Sequence, residues 1–207
     1  LMNYIEIDIS LSEKSPFTDI ITAKLNEIKF DNCQKYVVDL SIRKETKRFI
    51  NKLKKNSFAI NTLIHNAAIL LPTPFINTTE KIWDQTFKVA LESGFLLTQH
   101  VWGDMLSKKE GVIIFVSSRA GLEGFKDETA YCAAKHGLEG FMKSLAIEGK
   151  KDNIQVFTIT PGMYMKTPMS ESNYTEEFKK KWIDPIELTP AFLKLSSGRY
   201  QQMSGQH

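Results

Sequence analysis

The sequence has few cysteines and no long apolar run. Cys33 and Cys132 are its two cysteines, they form no Cys-x-x-Cys pair, and two are too few for a disulfide framework. Such a chain suits a reducing compartment, so we expect a cytosolic protein. No apolar stretch approaches the roughly 20 residues that a bilayer span needs, and residues 1–8 lack the basic and apolar regions of a signal peptide.

The chain also has only a small excess of positive over negative charge. The formal net charge is +3 and the isoelectric point is near 8.7, which is too mild to require a nucleic-acid or membrane partner. We interpret the basic run at residues 43–55 as a solvated helix face. With 42% hydrophobic and 25% charged residues the composition is that of an ordinary globular chain. We expect residues 1–207 to form one domain.

The motifs of several enzyme classes are absent. No Gly-x-Ser-x-Gly nucleophile elbow of the hydrolase type occurs, since Ser117 and Ser118 are followed by Arg119 and Ala120. The four histidines have no spacing typical of metal ligands. We therefore expect neither a serine hydrolase nor a metal site.

The sequence does contain an alternation of strand-like and helix-like segments. Residues 112–116 are a continuous β-branched and aromatic run, which is typical of a strand covered on both faces in a parallel sheet. Strands are predicted at 4–9, 35–40, 58–64, 112–116 and 154–159, and helices at 18–30, 42–53, 79–105, 128–148 and 187–195. This order predicts an α/β fold with a doubly wound, Rossmann-like parallel sheet in three α/β/α layers.

Ligands of such a fold bind at the carboxyl ends of the strands. Functional side chains are therefore expected where the predicted strands end. The residues at these ends are Asp39 and Leu40, His65 to Ala68, Ser117 and Ser118, and Thr160 to Gly162.

Tyr131 and Lys135 are four residues apart on the predicted helix 128–148, a spacing at which two side chains meet on one helix face. An unperturbed tyrosine has a pKa of about 10, and a neighbouring positive charge favours the phenolate and lowers that pKa. The pair could therefore act as a general acid or base near neutral pH. The same spacing also suits a solvated pair on the helix surface, so both interpretations stay open.

Four motifs in order carry a resemblance to a known family. They are His65-Asn66-Ala67-Ala68 in the place of an Asn-Asn-Ala-Gly turn, Val116-Ser117-Ser118 at a strand end, Tyr131 with Lys135, and Pro161-Gly162 followed by Thr167. On these segments the chain resembles the short-chain dehydrogenase/reductase family, and within it the 3-oxoacyl-(acyl-carrier-protein) reductases. The resemblance runs from about Tyr4 to Gln206.

The resemblance implies hydride transfer between NAD or NADP and a small carbonyl or alcohol substrate. Tyr131 would exchange a proton with the substrate oxygen, Ser118 would hydrogen-bond that oxygen, and Lys135 would bind the nicotinamide ribose. The implied cofactor contacts also include Asp39, Leu40, Asn66, Ala67 and Ala68 on the adenosine side, and Pro161, Gly162 and Thr167 on the nicotinamide side. A homodimer or homotetramer, packed through the long helix and the helix of Tyr131, is implied as well.

Several of these contacts also have a plain structural interpretation. Asp39 could end a strand, Asn66 could satisfy the backbone of a turn, and Pro161-Gly162 could be a turn alone. Thr167 comes one place later than the family's threonine, so its contact with the nicotinamide carboxamide stays open. The choice between NAD and NADP stays open too.

The chain departs from the family pattern in two respects that bear on activity. Ala90 stands where the family usually has an asparagine that is thought to help hold a proton-relay water, so slow turnover is one expectation. Residues 1–38 contain no glycine-rich phosphate loop, so we expect the sheet to lack its first strand and the domain to be incomplete at both ends. These departures leave an alternative function open, a catalytically impaired relative that acts as a dinucleotide-sensing or scaffold protein.

Overall fold

The computed structural model describes residues 4–9, 33–55, 60–162, 165–173 and 175–206. The chain divides into two compact units, residues 1–58 and 59–207. The predicted helix over 18–30 lies outside the described residues, as does most of the segment in which the glycine-rich loop was sought.

The first unit contains a two-stranded parallel sheet and one helix. Strand β1 (Tyr4–Ile9) pairs with β2 (Cys33–Val38), and helix α1 (Arg43–Lys55) follows them. The predicted strand at 35–40 ends early, at Val38, because the chain turns at Asp39. The Asp39 carboxylate accepts hydrogen bonds from the Ser41 backbone N–H at 2.9 Å and from the Ser41 hydroxyl at 2.6 Å.

The second unit contains a three-stranded parallel sheet in the order β3-β4-β5. Its elements are β3 (Thr62–His65), α2 (Glu80–Phe87), a π-helical segment (Lys88–Glu92), α3 (Ser93–Lys108), β4 (Gly111–Val116), α4 (Thr129–Gly149), β5 (Ile154–Ile159), α5 (Pro168–Asn173), α6 (Glu176–Lys179) and α7 (Thr189–Ser196). Parallel neighbours need crossover connections, which the helices between the strands supply. The predicted parallel α/β architecture is confirmed.

Strand β4 lies in the middle of this sheet and is covered on both faces, as its unbroken apolar run predicts. On one face Val112 and Ile114 form a cluster with Phe157, and Phe192 and Leu195 pack against that cluster. On the other face the Phe115 ring packs against Phe141 of α4, with 5.6 Å between ring centroids. The three layers are therefore α7, the sheet, and the pair α3 and α4.

Two predicted elements differ in their bounds or regularity. The third strand begins at Thr62 rather than at residue 58, and residues 56–59 lie outside the described residues. The long helix predicted at 79–105 begins at Glu80, where the Thr79 hydroxyl accepts a hydrogen bond from the Ile82 N–H at 3.3 Å. It contains a π-helical segment, in which the Ser93 N–H bonds to the Lys88 carbonyl oxygen.

No helix in the described part of the chain is both long and apolar enough to cross a membrane.

Candidate active site

Lys135 is buried at the carboxyl end of β4. Its side chain reaches from α4 to the sheet, where Nζ donates a hydrogen bond to the carbonyl oxygen of Val116 at 2.7 Å. The residue is 1% exposed. Burial lowers the pKa of the Lys135 amine from 10.5 to about 8, and the negative charge of Glu139 opposes that effect. The burial of Lys135 excludes the alternative that this lysine belongs to a solvated pair on the helix surface.

Tyr131 lies next to this amine, and Ser118 follows its hydrogen-bond acceptor Val116 by two residues. The Lys135 Nζ is 5.6 Å from the centroid of the half-buried Tyr131 ring, so the two side chains share one face of α4 as the spacing predicts. Ser118 is half-buried and begins the 3₁₀ turn Arg119–Gly121, which packs against α4. Its hydroxyl oxygen accepts a hydrogen bond from the Ala120 N–H at 3.2 Å.

A buried carboxylate lies one turn further along α4. Glu139 is 4% exposed, and its Oε2 accepts a hydrogen bond from the Thr158 hydroxyl of β5 at 3.0 Å. Its Oε1 and the hydroxyl of buried Ser117 have no hydrogen-bond partner among the described residues. Gly121 allows this close packing, since a Cβ there would lie 2.8 Å from the Ser117 hydroxyl oxygen and 3.3 Å from Glu139 Cγ.

A second polar pair is buried at the end of β3. The His65 Nε2 lies 2.7 Å from the Ser93 hydroxyl oxygen, and that hydroxyl donates to the Val89 carbonyl oxygen at 2.7 Å. Because the hydroxyl hydrogen goes to Val89, we assign the proton of the His65 ring to Nε2. Burial, aided by the positive charge of Lys135, lowers the pKa of His65 from 6.5 to about 3. The imidazole is therefore neutral at pH 7.

Cys132 is adjacent to Tyr131 in sequence but has no sign of a reactive thiol. Its sulfur accepts a hydrogen bond from the Phe125 N–H at 3.4 Å. Burial raises the pKa of the thiol, which disfavours the thiolate that a nucleophile needs. Burial also raises the pKa of Glu128, at the start of α4.

The proposed cofactor contacts in the second unit lie in loops that follow β3 and β5. Asn66 is exposed, Ala67 is buried and Ala68 is half-buried directly after β3. After β5, Pro161 is half-buried and Gly162 is exposed, with φ at +81° and open space where a Cβ would stand. The first of these loops therefore exposes a side-chain amide, and the second exposes bare backbone.

Thr167 has a structural role. It precedes helix α5, and its hydroxyl oxygen accepts a hydrogen bond from the Ser170 N–H at 3.2 Å. The Ser170 hydroxyl in turn accepts from the Thr167 N–H at 2.8 Å. This exchange caps the amino end of the helix.

Asp39 and Leu40 belong to the first unit, where both are buried. The Asp39 carboxylate closes the turn after β2, as one of the sequence-based interpretations has it.

In the described parts of the chain, no group of three or more His, Cys, Asp or Glu side chains could hold a metal ion. The buried ionisable side chains of Lys135 and His65 instead lie at the ends of strands β4 and β3.

Comparison with known protein families identifies the family of this chain. The model of the short chain dehydrogenases matches residues 12–177. The chain belongs to the short-chain dehydrogenase family.

Among curated members of the family, the chain is similar to a 3-oxoacyl-(acyl-carrier-protein) reductase of Buchnera aphidicola subsp. Schizaphis graminum. The two are 30% identical over an alignment of 218 residues including gaps, and the alignment covers 97% of this chain and 88% of that one. It is also 30% identical to nodulation protein G of Rhizobium meliloti, over 85% of this chain and 75% of that protein. With the peroxisomal hydratase-dehydrogenase-epimerase of Saccharomyces cerevisiae it shares 32% identity, but over only 16% of that protein's length.

Solved structures of the fold agree. A 4-hydroxyisoleucine dehydrogenase mutant complexed with NADH and succinate superposes with a TM-score of 0.84 at 23% identity, over 99% of this chain and 84% of that chain. A putative gluconate 5-dehydrogenase from Beutenbergia cavernae with bound NADP superposes with a TM-score of 0.80 at 20% identity, over 93% of this chain and 80% of that one. At these identities the likeness shows the fold.

Two buried polar features near Lys135 were not predicted from the sequence, namely Glu139 and the pair of His65 with Ser93. Glu139 follows Lys135 at the same four-residue spacing that singled out Tyr131 and Lys135, so that spacing, extended by one turn, could have found it. No such signal exists for the histidine pair, since 28 residues separate its members.

Proposed function

We propose that the chain is an NAD(P)-dependent oxidoreductase that transfers hydride between nicotinamide and a carbonyl or alcohol substrate. The observation that carries the proposal is the placement of the Lys135 ammonium 5.6 Å from the Tyr131 ring at the carboxyl end of the central strand. An ammonium held there favours the tyrosine as a proton donor and acceptor. Membership of the short-chain dehydrogenase family supports the same chemistry.

Each polar group is assigned one task in this proposal. Bound nicotinamide supplies or receives the hydride. Tyr131 gives a proton to the substrate oxygen in reduction and takes it back in oxidation. Ser118 already accepts a hydrogen bond from Ala120, and we propose that its own O–H hydrogen is donated to the substrate oxygen.

The residues present suit a dinucleotide. A lysine ammonium has three N–H donors, and Lys135 gives one of them to Val116, so two serve the nicotinamide ribose. Gly162 leaves backbone accessible beside Pro161 for the nicotinamide side, together with Thr167. Asn66, Ala67 and Ala68 are proposed for the adenosine side, and the contacts of Asp39 and Leu40 in the first unit stay a prediction.

The substrate class follows from the curated relatives. Their names include 3-oxoacyl-(acyl-carrier-protein) reductases and an acetoacetyl-CoA reductase from Acinetobacter, which is 32% identical over 71% of this chain. We therefore propose a 3-oxoacyl thioester as the first substrate to try, ahead of simple ketones and sugar acids.

The test is NADH or NADPH oxidation with acetoacetyl-CoA and a panel of other carbonyl compounds. Tyr131→Phe removes the proton donor and should lower kcat by a factor of about 100 to 10,000. Tyr200→Phe is the matched control, because the Tyr200 ring also lies beside a lysine, 5.5 Å from Lys194 Nζ, but packs against the opposite face of the sheet. Activity that survives Tyr131→Phe would remove the proposed mechanism.

A second candidate function rests on Ala90. This residue is fully buried in the π-helical segment and offers no amide at the position where the family carries one. A catalytically impaired relative that senses dinucleotides or acts as a scaffold would bind NADH or NADPH without turnover. Cofactor binding by calorimetry, in the absence of oxidation with every carbonyl compound tested, would favour this function.

We also infer a homodimer or homotetramer built on α3 and α4. A largely apolar groove of about 360 Å³ between the long helix and α4 is lined by Phe87, Leu91, Glu92, Phe95, Gly137 and Phe141. Phe95 is 44% exposed there, so Phe95→Glu should lower the mass measured by light scattering to that of one chain. The proposed location is the cytoplasm, with neither nucleic acid nor membrane as a partner.

A further inference from the structure

Three ionisable residues follow one another at four-residue intervals on α4. Tyr131, Lys135 and Glu139 therefore lie on one face of the helix, with the tyrosine half-buried and the other two fully buried. Two buried charges on adjacent turns are costly unless each stabilises the other. The proposed proton transfer uses Tyr131 and Lys135 but not Glu139.

The surroundings of Glu139 offer few partners to a buried carboxylate. One carboxylate oxygen accepts a hydrogen bond from the Thr158 hydroxyl, and the other has no donor among the described residues. A single neutral donor does not balance a buried carboxylate. The nearby ammonium supplies the opposite charge, and its interaction with Glu139 raises the pKa of Lys135.

Among the described residues, the negative charge that acts on the pKa of Lys135 is that of Glu139 and not that of half-buried Glu92, on the π-helical segment that also packs against α4. His65 of β3 is neutral at pH 7 because burial lowers its pKa to about 3. Arg119, on the 3₁₀ turn that packs against α4, is exposed and paired with Glu123. On α2, which also packs against α4, Asp84 is exposed and paired with Lys88.

We propose that Glu139 is a positioning residue, which keeps the Lys135 amine charged and directed at the end of β4 beside Tyr131. The inference rests on the proposed function, since it concerns the lysine that serves the proton transfer there. Glu139 touches neither substrate nor cofactor in this scheme. It acts through the charge of Lys135 alone.

Loss of the carboxylate charge has a defined consequence for pH dependence. Without Glu139 the charged form of Lys135 loses stabilisation while burial still disfavours it, so its pKa falls further below its ordinary value. The neutral fraction of the amine then rises, and kcat/KM should fall at pH 7 and fall more at pH 8. The alkaline limb of the pH profile moves to lower pH.

The decisive variant is Glu139→Gln, which keeps the volume and an amide oxygen for the Thr158 hydroxyl but removes the charge. Its pH profile of kcat/KM is compared with that of the wild-type protein and of Glu148→Gln, which changes an exposed glutamate on the same helix. Lys135 is also titrated directly by NMR of ¹³C-labelled lysine, with its signal assigned from its loss in Lys135→Met. We expect both readouts to shift downward in Glu139→Gln and neither to shift in Glu148→Gln.

Glu139→Asp separates charge from packing. It keeps the charge and shortens the side chain beside Gly121, so we expect a lower Tm with the Lys135 titration near its wild-type position. A Lys135 titration that is unchanged in Glu139→Gln would overturn the proposal. Because the NMR titration needs no turnover, it decides on Glu139 even where the activity assay contradicts the proposed function.

Discussion

The Lys135 Nζ donates a hydrogen bond of 2.7 Å to the carbonyl oxygen of Val116, the last residue of the central strand β4. This bond joins helix α4 to the sheet two residues before Ser118. It fixes the amine of a fully buried lysine at the edge of the sheet where parallel strands end. The cost of that burial is visible in the lowered pKa of the amine, about 8.

Lys135→Met should lose nearly all activity and only part of its stability. A fall of the pKa from 10.5 to about 8 means that the charged form costs about 3 kcal/mol in the folded state at pH 7. Methionine removes this cost, and the Val116 carbonyl loses its donor at a cost of about 1–3 kcal/mol. The buried Glu139 carboxylate also loses its opposite charge, so we expect a net fall of about 1–4 kcal/mol in the free energy of unfolding in urea, while kcat falls by at least about 100-fold.

The same variant has a signature in the pH dependence of stability. Between pH 8 and 10.5 the unfolded chain keeps the lysine proton that the folded chain has lost, so wild-type stability rises with pH in this window. Lys135→Met should not show that rise. Equal slopes for the two proteins above pH 8 would contradict the assignment of the buried amine.

The parts of the site that the sequence predicts are those encoded by local spacing. The apolar run at 112–116 identifies a strand covered on both faces, and the interval between Tyr131 and Lys135 places both on one helix face. Both features depend on neighbours within a few residues, so the periodicity of one element is enough to predict them.

The parts that the sequence does not predict depend on long-range packing. Nothing in the composition of Lys88–Glu92 distinguishes a π-helical segment from an α-helix. The bond between His65 and Ser93 forms only when β3 and α3 are packed together. Glu139 has the polarity of a solvent-facing residue, and its burial follows from contact of α4 with β5 through Thr158.

The burial of His65 leads us to expect that the free energy of unfolding falls in acid. Its pKa is about 3 in the folded protein and 6.5 in the unfolded chain, so below pH 6.5 the unfolded chain binds a proton that the folded chain does not. The free energy of unfolding is therefore highest above pH 6.5, where the His65 imidazole is neutral in both states, and it falls progressively as the pH falls towards 3. At pH 5 the loss is about 2 kcal/mol, measured by urea unfolding.

His65→Gln tests the origin of this loss. Glutamine has an N–H that can serve the Ser93 hydroxyl but does not titrate. The variant should lose most of the decline between pH 6.5 and 5, whereas His136→Gln, at an exposed position on α4, should keep it. If His65→Gln declined as steeply as the wild-type protein, other groups would be responsible.

Gly121→Ala should damage the site through packing. The new Cβ would lie 2.8 Å from the Ser117 hydroxyl oxygen and 3.1 Å from the backbone oxygen of Lys135, and the second contact is with helix backbone that yields little. We expect a loss of about 1–3 kcal/mol in the free energy of unfolding, with a fall in kcat.

Gly140→Ala is the control for that substitution. Gly140 lies on α4 with open space at its Cβ, so alanine there should stabilise the helix by up to about 1 kcal/mol and leave kcat unchanged. If Gly121→Ala and Gly140→Ala had the same effect on the free energy of unfolding, the atoms around Gly121 would move easily to accept a Cβ.

Ala90→Asn tests whether the missing amide limits turnover. Ala90 is fully buried inside the π-helical segment, so an asparagine there must find partners in a packed interior and should lower the free energy of unfolding by about 1–3 kcal/mol. If the amide restores a place for a proton-relay water, kcat rises despite that loss. Ala90→Leu has the same number and branching of side-chain heavy atoms without the amide, so it should lose stability with no gain in kcat. A rate for Ala90→Asn that equals or falls below the wild-type rate would contradict the expectation that the missing amide limits turnover.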